Sequence, residues 1–274
     1  MRYREYPPAP ALRGVVHRFW TLRGAAAAGP AEFQRAMPDG RPELIFNLAD
    51  RFEARGGRTI ECQPTALLVG PTTSALLVRP TGRVDLVGIR LVPGRWPELL
   101  GLAAGEVLDR ALALPEASGR WREDLLEPLS EARNDRARIE LLSARLRRAV
   151  DRAPGPNGRL QRAVDLAVCG GVKRVTRLAE LIGVSERHLG RLFRAGTGIG
   201  PAVMTRLARF QGVLGELERP VPVRWTAIAY RYGYYDQAHL CRDFKRFAGI
   251  SPGRYLAATR ELTRHFIDGA GAAG

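Results

Sequence analysis

Three arginines, Arg187, Arg191 and Arg194, recur at intervals of four and three residues, so on a helix they share one face. Fifty-one residues further on, Ala238, Arg242 and Lys245 stand at the same spacing. A row of guanidinium and ammonium groups can neutralise a polyanion, and an arginine can also reach the paired acceptors of a guanine edge. Behind each row lies an apolar stripe: Leu189 and Phe193 in the first stretch, Leu240, Phe244 and Phe247 in the second. A cationic front on an apolar back suits a helix laid in the groove of a duplex.

Both stretches carry the punctuation such a helix needs. Gly183 and Gly233 supply left-handed backbone for a turn, Ser185 and Asp236 are N-caps, and Gly198 with Pro201, like Gly249 with Pro252, ends the helix. The offset between copies is 51 inside the helices and 50 upstream of the turn, where Leu178 and Ala179 answer to Ile228 and Ala229. The second turn therefore holds one extra residue. Between the copies, Pro201 to about Glu218 reads as a spacer helix with Met204, Leu207, Gln211, Leu214 and Leu217 on one face. At 1.5 Å per residue it spans roughly 26 Å, which suits two helices entering successive major grooves about 34 Å apart. Pro220 and Pro222 end it, and Gly212 and Gly215 weaken it, so Gly212→Ala is expected to be harmless.

From Leu160 to Arg260 the chain closely resembles the AraC/XylS family of bacterial transcription factors, named for the arabinose-operon regulator. The most specific run is Gly233, Asp236-Gln237-Ala238-His239-Leu240, Arg242, Phe244-Lys245-Arg246, Gly249, Ser251-Pro252 and Tyr255. The first unit, LAELIGVSERHLGRLFRAGTG from Leu178, also fits. The resemblance implies DNA contacts at Arg187, Gly190 and Arg191 in the first unit, and at Gln237, Ala238, Cys241 and Arg242 in the second. Lys245 would lie near a phosphate, and Arg194 and Arg246 complete the cationic set. Gly190 has no side chain, and Ala238 and Cys241 are small, so discrimination there rests on neighbours or on thymine methyl contact. The family also implies an activator with double-stranded DNA and RNA polymerase as partners, a small-molecule effector and a homodimer.

The net charge of +15 over 274 residues agrees with an anionic partner. Arginine supplies all the basic residues except Lys173 and Lys245, a bias that looks genome-wide. The distribution says more, because residues 151–274 carry 20 basic against 10 acidic groups and residues 1–150 carry 23 against 18. Cys62, Cys169 and Cys241 are far apart, which excludes a disulfide framework and a zinc site; each is expected to be a small, at least partly buried residue. No apolar run reaches 18 residues and MRYREYPPAP is no secretion signal, so a cytoplasmic protein without membrane contact is expected.

The first half reads differently. Glu43–Leu48, Ala66–Val69, Ser74–Arg79 and Val84–Leu91 are short apolar segments between turn residues, as in a β meander. Ala25 to Gly29 reads as a loop. Beyond Pro93, Trp96–Leu100, Ala104–Asp109, Trp121–Leu129 and a longer run from Glu131 to Val150 read as helices. The aliphatic stripe of the last one suits either a dimer face or packing on the barrel. The expected fold class is α+β: an N-terminal cupin-like barrel or sandwich with trailing helices, then an all-α domain with two helix-turn-helix units at about 175–195 and 225–248. Domain limits follow as a regulatory and dimerisation half over 1–150, a Pro- and Gly-rich linker over 151–159, and a DNA-binding half over 160–268. The tail from Gly269 is expected to be disordered.

A catalytic cupin needs a histidine cluster for its metal, and residues 1–150 hold only His17, so neither metal nor other cofactor is expected. There is no P-loop. The chain is read as a regulator and not an enzyme. The alternative is a small-molecule enzyme or cupin-type sensor fused to a DNA-binding module. Trp20, Phe46, Asn47 and Trp96 read first as plain core, with the walls of a ligand pocket as the second reading.

Overall fold

The computed structural model describes residues 1–25, 31–114, 121, 125–169, 171–219 and 222–262. Among the described residues, the first half holds ten strands: β1 (Arg2–Tyr6), β2 (Val16–Ala25), β3 (Gln34–Ala36), β4 (Glu43–Asn47), β5 (Phe52–Gly56), β6 (Thr59–Cys62), β7 (Ala66–Val69), β8 (Leu76–Pro80), β9 (Arg83–Leu91) and β10 (Ala111–Ala113). They form a six-stranded sheet in the order β1-β2-β9-β4-β7-β10 and a four-stranded sheet in the order β3-β8-β5-β6. Every pairing is antiparallel.

The larger sheet is buried on both faces, which is why its central strands read as near-continuous apolar runs. Side chains alternate across it. On β4, Leu44 and Phe46 enter one core, while Glu43, Ile45 and Asn47 face a cavity between the sheets. On β2, Phe19 points to the first core, and Trp20 and Leu22 point between the sheets. Gly88 on β9 pairs with Trp20, and a side chain there would lie 2.1 Å from the indole ring. Glycine is required for that close approach.

Among the described residues, the outer face is covered by α1 (Trp96–Leu100), α2 (Leu126–Glu131) and α3 (Asp135–Arg152). Leu142 and Leu146 of α3 are fully buried in the core that also holds Phe46 and Trp96. The stripe of this helix therefore packs on the β half. Arg138 anchors it from beneath, donating from Nη1 to Asp85 Oδ1 at 2.6 Å and from Nη2 to Asp85 Oδ2 at 3.0 Å. Desolvation opposes the Asp85 charge, yet Arg138 and Arg23 hold its carboxyl below the usual range.

The second half is helical: α4 (Gly158–Val168), α5 (Val175–Ile182), α6 (Glu186–Thr197), α7 (Pro201–Leu217), α8 (Trp225–Arg231), α9 (Gln237–Ala248) and α10 (Pro252–Leu262). One core serves all of it, including Leu160, Leu178, Phe193, Leu207, Phe210 and Phe244. The two halves are packed together. Gln211 Nε2 donates to Pro38 O at 2.8 Å and Ala75 N to Phe247 O at 2.7 Å, while Arg95 Nη1 holds the connecting segment at Pro154 O, 3.1 Å away.

Several expectations change. The helix expected at 104–109 is a 3-10 turn over Ala104–Val107. The one expected at 121–129 begins at Leu126, and 122–124 lie outside the described residues. α3 continues through Arg152 and α4 starts at Gly158, so the segment between helices is shorter than 151–159. Asn134 and Asn157 set those starts, each accepting from the backbone three residues on. Cys62 and Cys169 are exposed and Cys241 is half-buried. Most of the loop expected at 25–29, Pro220 and the tail beyond 262 lie outside the described residues. Among the described residues, no helix is long and apolar enough to cross a membrane.

Candidate nucleic-acid interface

The two units repeat in geometry as they do in sequence. α5 ends at Gly183, with φ +71°, and α6 begins after Ser185, whose Oγ accepts from His188 N at 3.2 Å. In the second unit Gly233 has φ +74°, and Asp236 Oδ1 accepts from His239 N at 2.6 Å. α6 stops at Gly198 and α9 at Gly249, both left-handed. Each recognition helix has 12 residues, and the first residues of α6 and α9 differ by the same 51 positions as the sequence repeat. Leu189 and Phe193, like Leu240, Phe244 and Phe247, are buried.

Of the residues expected to meet DNA, Arg187, Arg191 and Arg194 are exposed on α6. Gln237, Ala238, Arg242, Lys245 and Arg246 are exposed on α9. Cys241 is half-buried beside them. Gly190 is buried beneath the Arg194 side chain. A side chain there would come within 3.4 Å of the Arg194 guanidinium, so glycine leaves room for that arginine to lie across the helix. Arg191 Nη2 sits 3.2 Å from His188 Nδ1, and His239 stacks edge-on against Tyr234 at 5.2 Å, giving both histidines packing roles.

Sequence reading missed what seats these helices. Asp243, on the back of α9, is 3% exposed and accepts from Arg206 Nε at 3.1 Å and again from Arg206 Nη2. Arg209 Nη2 lies 3.9 Å from the same carboxylate, and its Nη1 donates to Gly233 O at 3.2 Å. Both arginines belong to the spacer helix α7, so the second unit is tied to the spacer by charge. The bond to Asp243 raises the Arg206 pKa. Tyr232 adds a second tie, its hydroxyl donating to Glu216 Oε2 at 3.2 Å. The first unit has no such web, and the position matching Asp243 is Leu192. Its helix is seated by close backbone approach: Gly196 lies against Leu160, and a side chain at Gly198 would meet Ala104 O at 2.7 Å. The signal for the clamp was one acid on a cationic helix facing two arginines three apart on its neighbour.

The spacer is also more deeply buried than one stripe predicts. Phe210 and Val213 are buried alongside Met204, Leu207 and Leu214, while Gln211 is half-buried. Gly212 faces the Tyr232 ring, which a side chain there would meet at 2.3 Å. The expectation that Gly212→Ala is harmless is therefore reversed. Gly215 has open space around it.

Two capped helices in one frame, cationic outward and joined by a buried spacer, define a double helix-turn-helix module. Residues 178–258 match the family model described as a helix-turn-helix domain, and residues 4–113 match one described as a domain of unknown function, DUF6597. The regulator GlxA of Rhizobium meliloti is 38% identical over 78 residues, which is 28% of this chain and 24% of that protein. The regulator Rv1931c of Mycobacterium tuberculosis is 32% identical over 105 residues, 38% of each chain. The chain thus spans well under half the length of the relatives it matches. ToxT of Vibrio cholerae aligns over 87% of this chain and 98% of its own, at 11% identity and a TM-score of 0.49. The C-terminal domain of AraT from Geobacillus stearothermophilus aligns over 37% of this chain and 86% of its own, at 24% identity and a TM-score of 0.34. The helical half carries a helix-turn-helix domain over residues 178–258.

Proposed function

We propose that the chain is a transcription regulator that binds one specific double-stranded DNA site through α6 and α9 in successive major grooves. The observation that carries this reading is the repeat of cap, left-handed stop, buried stripe and exposed cationic row in two helices joined by a buried spacer. Arg191 and Arg242 are assigned to base edges, with Gln237, Ala238 and Cys241 forming the rest of the reading surface. Arg187, Arg194, Lys245 and Arg246 are assigned to phosphates. The binding half is assigned to the helices from Gly158 onward, the linker to the shorter segment 153–157, and the residues before it to a regulatory half that senses a small molecule and sets a homodimer. RNA polymerase is the protein partner, and the chain carries no catalytic activity of its own.

Footprinting with the full chain on genomic fragments tests this. The expected outcome is protection confined to defined sites, with two patches about one helical turn apart on one face. Protection spread over every fragment would contradict it and identify a non-specific binder.

A further inference from the structure

The second helix-turn-helix turn holds one residue more than the first, and the backbone shows which residue it is. In the first unit Gly183 N donates to Glu180 O and Val184 N to Ala179 O, both at 3.1 Å. In the second, Gly233 N donates to Tyr230 O at 3.0 Å and Tyr234 N to Ala229 O at 2.9 Å. Tyr234 is thus the counterpart of Val184, whereas the caps Ser185 and Asp236 stand one position further apart than that pair. The insertion is Tyr235. Tyr234 is buried and Val184 half-buried, but Tyr235 is 93% exposed. A ring so fully immersed in water adds little to the stability of the fold.

The turn that carries it is pinned from several sides. Arg209 Nη1 donates to Gly233 O at 3.2 Å, and its guanidinium carbon lies 4.9 Å from the centre of the Tyr234 ring. Lys173, from the segment before α5, donates from Nζ to Arg231 O at 3.4 Å. Its chain passes so close to the turn that a Cβ at Gly233 would lie 2.4 Å from Lys173 Cδ. The Tyr235 N–H itself faces His239 Nδ1 at 3.4 Å. A phenol on a backbone held in this way has little beyond its own two side-chain torsions to lose on binding.

Its position decides the ligand. The residues assigned to bases stand on α9 itself, beginning with Gln237. Tyr235 precedes the cap, outside the helix, where the sugar-phosphate strand borders the groove that the helix N-terminus enters. Its hydroxyl has one hydrogen to donate, and a phosphate oxygen accepts it. We infer that Tyr235 is a DNA contact of the second unit, its hydroxyl donating to a phosphate oxygen at the edge of the groove read by α9, with no equivalent in the first unit. The inference rests on the DNA-binding reading above and adds to it an uncharged anchor on one half of the site.

Tyr235→Phe removes the hydroxyl and keeps the ring. Titrated against the footprinted site, the full-chain variant should bind about five-fold more weakly, or about 1 kcal/mol. Scrambled duplex should lose about the same factor, because phosphates are common to both. The salt slope should not move, since no cation is removed, in contrast to the drop of about one for an arginine on a phosphate. Ethylation interference should reveal one phosphate, beside one of the two protected patches, at which the ethyl group hinders the wild type but not the variant. The Tm should be unchanged, as for other exposed substitutions. Unmoved affinity, a loss confined to the cognate duplex, or a lowered Tm each overturns the assignment. Wild-type footprints separate the two failures: protection with unmoved affinity in the variant sinks this contact alone, and no protection sinks the DNA-binding reading and this contact with it.

Discussion

The two recognition helices share a frame to the residue but are held in place by opposite means. α6 is seated where side chains are missing, with Gly196 against Leu160 and Gly198 against the Ala104 carbonyl. α9 is seated by charge, with Asp243 buried beneath Arg206 and Arg209 of the spacer. The outward faces differ as well: α6 presents three arginines, whereas α9 sets the small Ala238 and Cys241 beside its cations. A duplicated unit can thus keep its capping and buried stripe while its anchoring diverges. The local frame makes the helix, and tertiary neighbours decide how it is mounted.

The largest expected effect erases the difference. Leu207→Pro, in the buried middle of the spacer, should cost about 3 kcal/mol or more and disable both units, read as lost DNA binding and a lowered Tm. Arg206→Ala separates them. It leaves Asp243 buried with only the distant Arg209, so a loss of about 3 kcal/mol is expected. Hydrogen exchange should show that loss in α9 and not in α6. The counterpart is Gly198→Ala, where left-handed backbone alone costs about 1–2 kcal/mol and the Ala104 contact adds to it. Exchange should then quicken in α6 while α9 keeps its protection.

The faces are compared by Arg191→Ala and Arg242→Ala. Each should cost about 1–3 kcal/mol of specific affinity if it reads a guanine edge. Equal losses on cognate and scrambled DNA, with the salt slope falling by about one, would reassign that arginine to phosphate. The smallest effects lie on the spacer. Gly212→Ala should destabilise by about 1–3 kcal/mol through overpacking against Tyr232. Gly215→Ala, exposed and unhindered, should stabilise by up to about 1 kcal/mol. Thermal melts in parallel decide whether the second unit presses on the spacer at Gly212.

What could be read from the sequence followed one physical line, the reach of local interactions. Caps at Ser185 and Asp236, stops at Gly198 and Gly249, and the stripes between them act within one turn of backbone, so both units were legible. β7 was legible to the residue, and β4 and β9 to within one residue, because strands buried on both faces are apolar throughout. β2 was not, since Arg18, Thr21 and Arg23 break its pattern and their partners lie far away. Thr21 bonds Asp135 at 3.2 Å, and Arg23 bonds Asp85 at 3.2 Å. Asp243 and Gly212 were missed for the same reason, as each makes sense only beside a helix distant in sequence. Of the pocket candidates, Trp20 and Asn47 line the cavity, and Phe46 and Trp96 lie in the core on the other side of the sheet. Strand parity separates Phe46 from Asn47, but the sequence does not say which face is which.

The most direct test of the account concerns the rigid mounting of both helices on one spacer. The full chain is titrated against its footprinted site and against the same site with about half a helical turn inserted between the two protected patches. A rigid module engages only one patch of the altered site, so affinity should fall by about ten-fold or more, at least 1.4 kcal/mol. Equal affinity for the two spacings would contradict the account and show α6 and α9 acting as independently tethered readers.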